Sequence, residues 1–168
     1  VYKNILYKDD AQKVDALQAT TEVQAVAPNA IEKVSAAIDV KQPDMWSAEA
    51  PNRYVLVAQL VDKKGKVIEA ASTYFGFRKV EIKETKAEDD SFGNAGRYFY
   101  VNGKPIKLKG VNRHETHPEQ GHVVTHAQME EEVMLMKRAN INHVRCSHYP
   151  PDPYWFYLSD KYGIYLED

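Results

Sequence analysis

The second half of this 168-residue chain alternates short strand-like segments with helical ones, and this rhythm constrains the fold more than any other feature. Apolar strand-like segments at 106–111, 141–146 and 164–166 are separated by two segments with helical patterning. Alternation of strands and helices at this spacing is typical of βαβ units with a parallel sheet. The sequence therefore predicts an α/β region over 97–168.

Start and stop signals support both helices. Thr125 followed by Gln128 forms a capping box, and the helix it opens is predicted to run to about residue 139. Pro153 after an aspartate predicts the start of the second helix, and Gly163 its end. Three parallel strands are too few for the roughly 250 residues of a (β/α)8 barrel. We therefore expect the truncated start of a TIM barrel, within a longer protein.

The first half has the pattern of antiparallel strands. Strand-like segments lie at 22–27, 34–40, 54–62, 67–75 and 78–83. Gly65 marks a hairpin turn, and Asn102-Gly103 marks a second hairpin after a strand at 97–101. Residues 1–20 show weak patterning. This predicts a partial β-sandwich over 1–88, joined by a polar linker at about 83–96 to the α/β region at 97–168.

Composition excludes several functional classes. The formal net charge of −2 argues against a protein that coats nucleic acid or an anionic membrane. No apolar run approaches the roughly 18–20 residues of a membrane-spanning helix. Cys146 is the single cysteine, so no intrachain disulfide can form. We expect no nucleic-acid or membrane partner, and favour a cytoplasmic location with the periplasm as the alternative.

Titratable side chains gather at the ends of the three predicted barrel strands. All six histidines of the chain fall between 114 and 148. The first strand is followed by Arg113, Glu115 and His117, the second by Arg145 and His148, and the third by Glu167 and Asp168. Barrel enzymes place their active sites just past the carboxyl ends of the strands. These side chains are therefore the candidate site.

The residue types indicate recognition of a polar ligand. His117 and His148 can bind hydroxyl groups or stabilise developing charge, and Arg145 can orient a carboxylate. Tyr149, Tyr154 and Trp155 could face a sugar ring, although core packing is the simpler interpretation of the 154–157 aromatics.

Other chemistry fits less well. A zinc site at His114 and His117 is weakened because no HExxH motif or cysteine pair accompanies them. A nucleophilic Cys146 is disfavoured, because a cysteine on a strand usually behaves as a small apolar group. We interpret the remaining histidines as surface or structural residues: His122, His126 and His143.

Several motifs together resemble one enzyme family. The segments NGKPIKLKGVNRHE (102–115) with His117-Pro118, VRCSHYP (144–150) and DKYGIY (160–165) resemble the first three barrel strands of glycoside hydrolase family 2 β-galactosidases. MWSAE (45–49) and GFRKV (76–80) resemble the immunoglobulin-like domain before that barrel. The resemblance covers about 44–168.

The resemblance implies roles for individual residues. His117 and His148 match two histidines that stabilise the transition state and contact the sugar. Arg145 matches an arginine that supports the nucleophilic carboxylate, and Arg113 and Glu115 lie in the first-strand motif as supporting residues. Thr116 departs from relatives that have a histidine there.

The resemblance also implies what this chain lacks. The acid/base and nucleophilic glutamates and the main magnesium ligands of the family lie further along the barrel. Glu115 and Glu167 are poor substitutes for the glutamates, because they follow different strands. Magnesium, with sodium as a second candidate, is thus implied for the full enzyme, and no metal or other cofactor for this chain.

The expected function follows from the resemblance. The chain is expected to be a fragment of a retaining β-galactosidase, with a β-galactoside substrate and a fold of partial immunoglobulin-like sandwich plus truncated barrel. The isolated fragment is expected to be inactive. A non-catalytic sugar-binding or scaffold module and a β-glucuronidase of the same family remain alternatives, and a homo-oligomer of the full enzyme is left open.

Overall fold

The computed structural model describes residues 1–8, 17–22, 26–90 and 92–168. These residues form two compact units. The first contains 1–44 and 53–76, and the second contains 45–52 and 77–168. The polar segment at 83–96 therefore lies within the second unit. The domain bounds of 1–88 and 97–168 stay a prediction about the domains of the full protein.

The first unit contains a four-stranded antiparallel sheet in the order β2-β1-β3-β4. Its strands are β1 (Tyr2–Lys8), β2 (Leu17–Thr21), β3 (Tyr54–Val61) and β4 (Val67–Phe75). The predicted strands at 54–62 and 67–75 are confirmed. Their turn is stabilised by Asp62, whose carboxylate accepts hydrogen bonds from the Lys64 and Lys66 amides at 2.8 and 2.9 Å. Gly65 has the positive φ of 83° that this turn requires.

Two strand predictions in the first half fail. Residues 34–40 are irregular, with Val34 and Val40 only half-buried, so they lack the paired backbone of a strand. Of the predicted strand at 22–27, residues 23–25 lie outside the described part of the chain, and the rest is not strand. β1 was not predicted, because its buried pair Ile5 and Leu6 is adjacent and breaks the alternation expected of a surface strand.

The second unit begins with a small antiparallel sheet in the order β5-β6-β7. Its strands are β5 (Val80–Thr85), β6 (Gly96–Val101) and β7 (Lys104–Pro105). Asn102 and Gly103 form the predicted turn with φ of 53° and 78°. The strand predicted at 106–111 is wrong in its bounds: the hairpin ends at Pro105, and the barrel strand starts only at Gly110.

A parallel sheet with two helices completes the second unit. It has the order β10-β9-β8, with β8 (Gly110–Arg113), β9 (His143–Cys146) and β10 (Tyr165–Glu167). The connections are α1 (His126–Arg138) and α2 (Tyr154–Tyr162). The predicted βαβ pattern is confirmed.

Individual residues explain where the two helices begin and where α2 ends. The Thr125 side chain accepts a bond from the Gln128 amide, and the Gln128 side chain accepts one from the Thr125 amide, so the predicted capping box is present. Pro153 already has the helical φ and ψ of −52° and −22°, and the Asp152 carboxylate accepts a bond from the Tyr154 amide at 2.8 Å, so the predicted aspartate cap and proline at the start of α2 are present. Gly163 ends α2 with a left-handed φ of 75°.

Apolar side chains from both helices and the parallel sheet form the core of the second unit. Its buried members are Met129, Val133, Val144, Trp155, Leu158 and Ile164. The two helices pack on one face of the sheet, and the opposite face bears Asn112, Arg145 and Glu167 next to the strand ends. This division positions the candidate site.

The segment 45–52 packs against the α/β part of the second unit. Trp46 is 1% exposed, and its indole nitrogen donates to the Asp160 carbonyl at 2.8 Å. The Lys137 ammonium donates to the carbonyls of Ala48 and Gly163 at 2.8 and 3.0 Å, and burial lowers the pKa of this lysine. No helix among the described ranges has the length and apolar character needed to cross a membrane.

Candidate active site

The face of the parallel sheet that points away from the helices carries one row of charged and polar side chains. Strand pairing places Asn112 beside Arg145, and Arg145 beside Glu167. Residues before and after them, such as Val144 and Leu166, belong to the core on the helical face. Since side chains alternate between the faces of a sheet, the Asn112–Arg145–Glu167 row faces the other way. In a closed barrel this face points to the interior.

Arg145 links the second and third strands to the loop after the second. Its Nε donates to Glu167 Oε1 at 3.1 Å, and its Nη1 donates to His148 Nδ1 at 3.1 Å. The predicted residues Arg145 and His148 are therefore brought together, with Glu167 as the counter-ion of the arginine.

His148 also lies against a second histidine. The rings of His114 and His148 meet edge to face, with their centroids 5.7 Å apart and an interplanar angle of 83°. Tyr149 is the next ring, 6.5 Å from His114. The sequence singles out His114 only as a possible zinc ligand, although its place directly after β8 indicates a residue of the candidate site.

His117 is held in a small loop of its own. Its backbone exchanges two hydrogen bonds with Gly121, at 2.7 and 3.0 Å, and its Nδ1 accepts a bond from the Glu119 amide at 3.2 Å. The hydrogen bonds of His117 thus stay within residues 117–121, whereas His114 reaches the ring of His148. The role of His117 in ligand binding stays a prediction.

Arg113 is a buried cation beneath the site. Its side chain is 3% exposed, and its guanidinium lies 4.0 Å from the centre of the Trp155 ring. Nε and Nη2 donate to Glu132 Oε2 at 3.1 and 3.0 Å, and Nη1 donates to Glu115 Oε1 at 3.1 Å. A buried charge requires such partners, so Arg113 joins β8 to both helices.

Glu115 connects the loops after the first two strands. Besides Arg113, its carboxylate accepts a bond from the Asp152 amide at 2.9 Å. Its own amide donates to the Tyr149 hydroxyl at 3.0 Å, and its carbonyl accepts from His122 Nδ1 at 2.9 Å. Glu115 therefore ties together the loops that carry His114 and His148, and the supporting role predicted for it stays a prediction.

The second and third strand ends surround an open cleft of about 420 Å³. Its lining consists of Arg145, Cys146, His148, Tyr149, Pro150, Glu167 and Asp168. Cys146 is buried, and burial raises the pKa of its thiol, which disfavours the reactive thiolate. This agrees with the interpretation of Cys146 as a packing residue.

Of the three aromatic residues considered for a sugar ring, one lies at the cleft. Tyr149 lines it, whereas Trp155 is fully buried in the core. Tyr154 stacks on His126 with ring centroids 4.0 Å apart, and on Tyr157 at 5.5 Å. The interpretation of the 154–157 aromatics as packing residues is supported for Tyr154 and Trp155.

No group of three or more histidine, cysteine, aspartate or glutamate side chains within the described ranges is arranged to hold a metal ion. The carboxylates near the histidines are already paired with Arg113 and Arg145. The residues present therefore do not fit the magnesium or sodium implied for a full enzyme, nor the zinc alternative.

Comparison with known families decides the affiliation of the chain. The model described as "Glycosyl hydrolases family 2, TIM barrel domain" matches residues 95–168, and the model "Glycosyl hydrolases family 2" matches residues 2–78. The chain belongs to glycosyl hydrolase family 2. The predicted family is confirmed, and so is the fold class of a sandwich-type domain followed by the start of a TIM barrel.

Relatives within family 2 are similar over most of this chain but are much longer. A β-galactosidase of Pectobacterium atrosepticum is 43% identical over 137 residues, which are 82% of this chain and 12% of that protein. A β-galactosidase of Photobacterium profundum is 39% identical over 166 residues, which are 94% of this chain and 15% of that protein. The chain thus spans less than a sixth of the length of these two relatives.

Solved structures of family 2 have the same fold over the whole chain. A family 2 member from Bacteroides cellulosilyticus matches with a TM-score of 0.78 at 24% identity, covering 99% of this chain and 21% of that one. The β-glucuronidase of Bifidobacterium dentium in complex with coumarin-3-O-glucuronide matches with a TM-score of 0.74 at 25% identity, covering 98% and 24%.

Proposed function

We propose that this chain is part of a retaining β-galactosidase that hydrolyses terminal β-D-galactosides. The observation that carries the proposal is the similarity to proteins named β-galactosidase at 39–43% identity, against 24–25% for the family 2 structures compared above. The motifs at 102–118 and 144–150 point to the same subtype.

The geometry supports a binding and stabilising role for the strand ends. His148 lines the cleft and accepts a hydrogen bond from Arg145, and the ring of His114 meets the His148 ring edge to face. Neutral imidazoles at such a position can donate hydrogen bonds to sugar hydroxyls and to charge that develops in the transition state. We assign this role to His148, to His117 as predicted, and to His114 on its ring contact.

The carboxylates of the chain support a second part of the proposal, namely that the isolated chain does not hydrolyse glycosides. Retaining hydrolysis needs an acid and a nucleophile whose carboxyl groups are about 5–5.5 Å apart. Glu115 is held by Arg113 and the Asp152 amide, and Glu167 is held by Arg145. Both carboxylates are therefore already engaged in ion pairs with arginines of the strands.

The test uses the full-length product of the gene that encodes this chain. We expect it to hydrolyse p-nitrophenyl β-D-galactoside with retention, and faster than the corresponding β-glucuronide. His148→Ala is expected to lower kcat/KM about 10²- to 10³-fold, as for loss of one transition-state donor. His126→Ala, which removes a ring stacked on Tyr154 outside the cleft, serves as the matched control and is expected to leave kcat/KM unchanged.

Two results would contradict the proposal. Preference for the β-glucuronide would assign the protein to the glucuronidase alternative. Equal effects of the two histidine substitutions would remove His148 from the site. Homo-oligomerisation and a cytoplasmic location stay predictions for the full-length protein.

A further inference from the structure

We propose that Arg145 is a positioning residue that holds His148 in one neutral tautomer, with the proton on Nε2. Arg145 Nη1 lies 3.1 Å from His148 Nδ1. A guanidinium has only N–H donors and stays charged in proteins, so it cannot accept a bond from the imidazole. His148 Nδ1 must therefore supply the lone pair, which leaves the proton of the neutral ring on Nε2.

Glu167 holds the Arg145 guanidinium in the orientation that its hydrogen bond to His148 requires. Its Oε1 accepts from Arg145 Nε at 3.1 Å, on the side of the guanidinium away from Nη1. The two residues are paired neighbours on β9 and β10, so their side chains share one face of the sheet. Because the guanidinium is planar, the carboxylate on one side determines where the donor on the other side points.

His117 has the same tautomer for a different reason. Its Nδ1 accepts from the Glu119 backbone amide at 3.2 Å, so its neutral ring also carries the proton on Nε2. His148 and His117 thus both present Nε2–H donors, which suit ligand oxygens that accept hydrogen bonds. That the acceptors are sugar hydroxyls rests on the proposed function, whereas the tautomer of His148 does not.

The test is nitrogen-15 NMR of the imidazole rings in the 168-residue chain, at about pH 9, where imidazoles are neutral. In the wild-type chain we expect His148 to show one protonated nitrogen, Nε2, and a large shift difference between Nδ1 and Nε2. Arg145→Met removes the donor to His148 Nδ1, so the two neutral tautomers of His148 should exchange. The shift difference between its Nδ1 and Nε2 should then narrow. Glu167→Gln retains a carbonyl acceptor for Nε and should preserve the difference.

His117 is the internal control, because a backbone amide sets its tautomer. Its shift difference should stay the same in every folded variant. A proton on Nδ1 of wild-type His148 overturns the proposal, and so does an unchanged His148 in Arg145→Met.

If Arg145→Met fails to fold, the wild-type chain decides the matter. A scalar coupling across the hydrogen bond between Arg145 Nη1 and His148 Nδ1 is expected there, and its absence contradicts the proposal. Neither result depends on whether the full-length protein hydrolyses galactosides, so failure of this inference and failure of the proposed function can be told apart.

Discussion

Replacement of Arg113 by methionine tests how much its buried guanidinium contributes to the free energy of unfolding. Methionine keeps much of the volume of the side chain but removes the guanidinium, whose 3%-exposed side chain bonds to Glu115 and Glu132 and stacks on Trp155. Breaking a buried ion pair by removing one partner costs about 3–5 kcal/mol. Glu132 is 36% exposed and can regain water, so we expect the lower end, about 3 kcal/mol.

Urea unfolding followed by tryptophan fluorescence measures this loss. With an m-value of about 2 kcal/mol per molar urea, a loss of about 3 kcal/mol lowers the unfolding midpoint by about 1.5 M. Arg113→Lys keeps the charge but not the planar fork, so its midpoint should fall between those of the wild type and Arg113→Met.

The matched control is Arg97→Met, the same change at an arginine whose ion pair with Glu84 is largely exposed. Exposed pairs contribute about 0–1 kcal/mol, so its midpoint should move by no more than about 0.5 M. Equal shifts of the urea midpoint for Arg113→Met and Arg97→Met would refute the claim that the buried contacts of Arg113 stabilise the fold.

Three further changes probe the scaffold of the site. Gly163→Ala should destabilise the chain by at least about 2 kcal/mol in urea unfolding, because φ is 75° and the new Cβ would lie 2.3 Å from the Ala48 carbonyl oxygen; a loss below about 0.5 kcal/mol would contradict that close approach. Thr125→Ala should cost about 1 kcal/mol through loss of the cap to the Gln128 amide, and Thr125→Ser should restore most of it. Lys161 on α2 donates a hydrogen bond to Glu130 and lowers the pKa of that carboxyl group. The stabilisation from this pair is therefore present above the unfolded pKa of Glu130 and is lost as pH falls through its folded pKa. Between pH 6 and pH 3 the urea midpoint should fall less in Glu130→Gln than in the wild type, and parallel curves would refute this.

The elements that could be predicted from the sequence are those with local signals. The capping box at Thr125 and the stop at Gly163 depend on residues within one helical turn, and both helices were found. β1 depends on pairing with β3, about 50 residues away in the chain, and no local pattern marks it. The false strand at 34–40 has the reverse cause, since its apolar spacing has no partner strand among the residues that the structure describes.

The sequence predicts which loops carry the candidate site, but not the contacts between their side chains. Strand ends identified Arg145, His148 and Glu115, because barrel topology alone brings them to one edge. The ring contact between His114 and His148, and the closed loop at 117–121 that holds His117, required the structure. That Arg113 is buried over Trp155 also required the packing of α2, to which the sequence gives no local clue.

We propose that this chain contributes part of a glycosidase site and lacks the acid/base and nucleophilic glutamates. The most direct test is the rate at which the isolated chain hydrolyses p-nitrophenyl β-D-galactoside, measured at high protein concentration against buffer alone. We expect no difference between the two rates. Hydrolysis by the purified chain above the buffer rate would contradict the proposal, most directly if it persists in the double variant His117→Ala/His148→Ala.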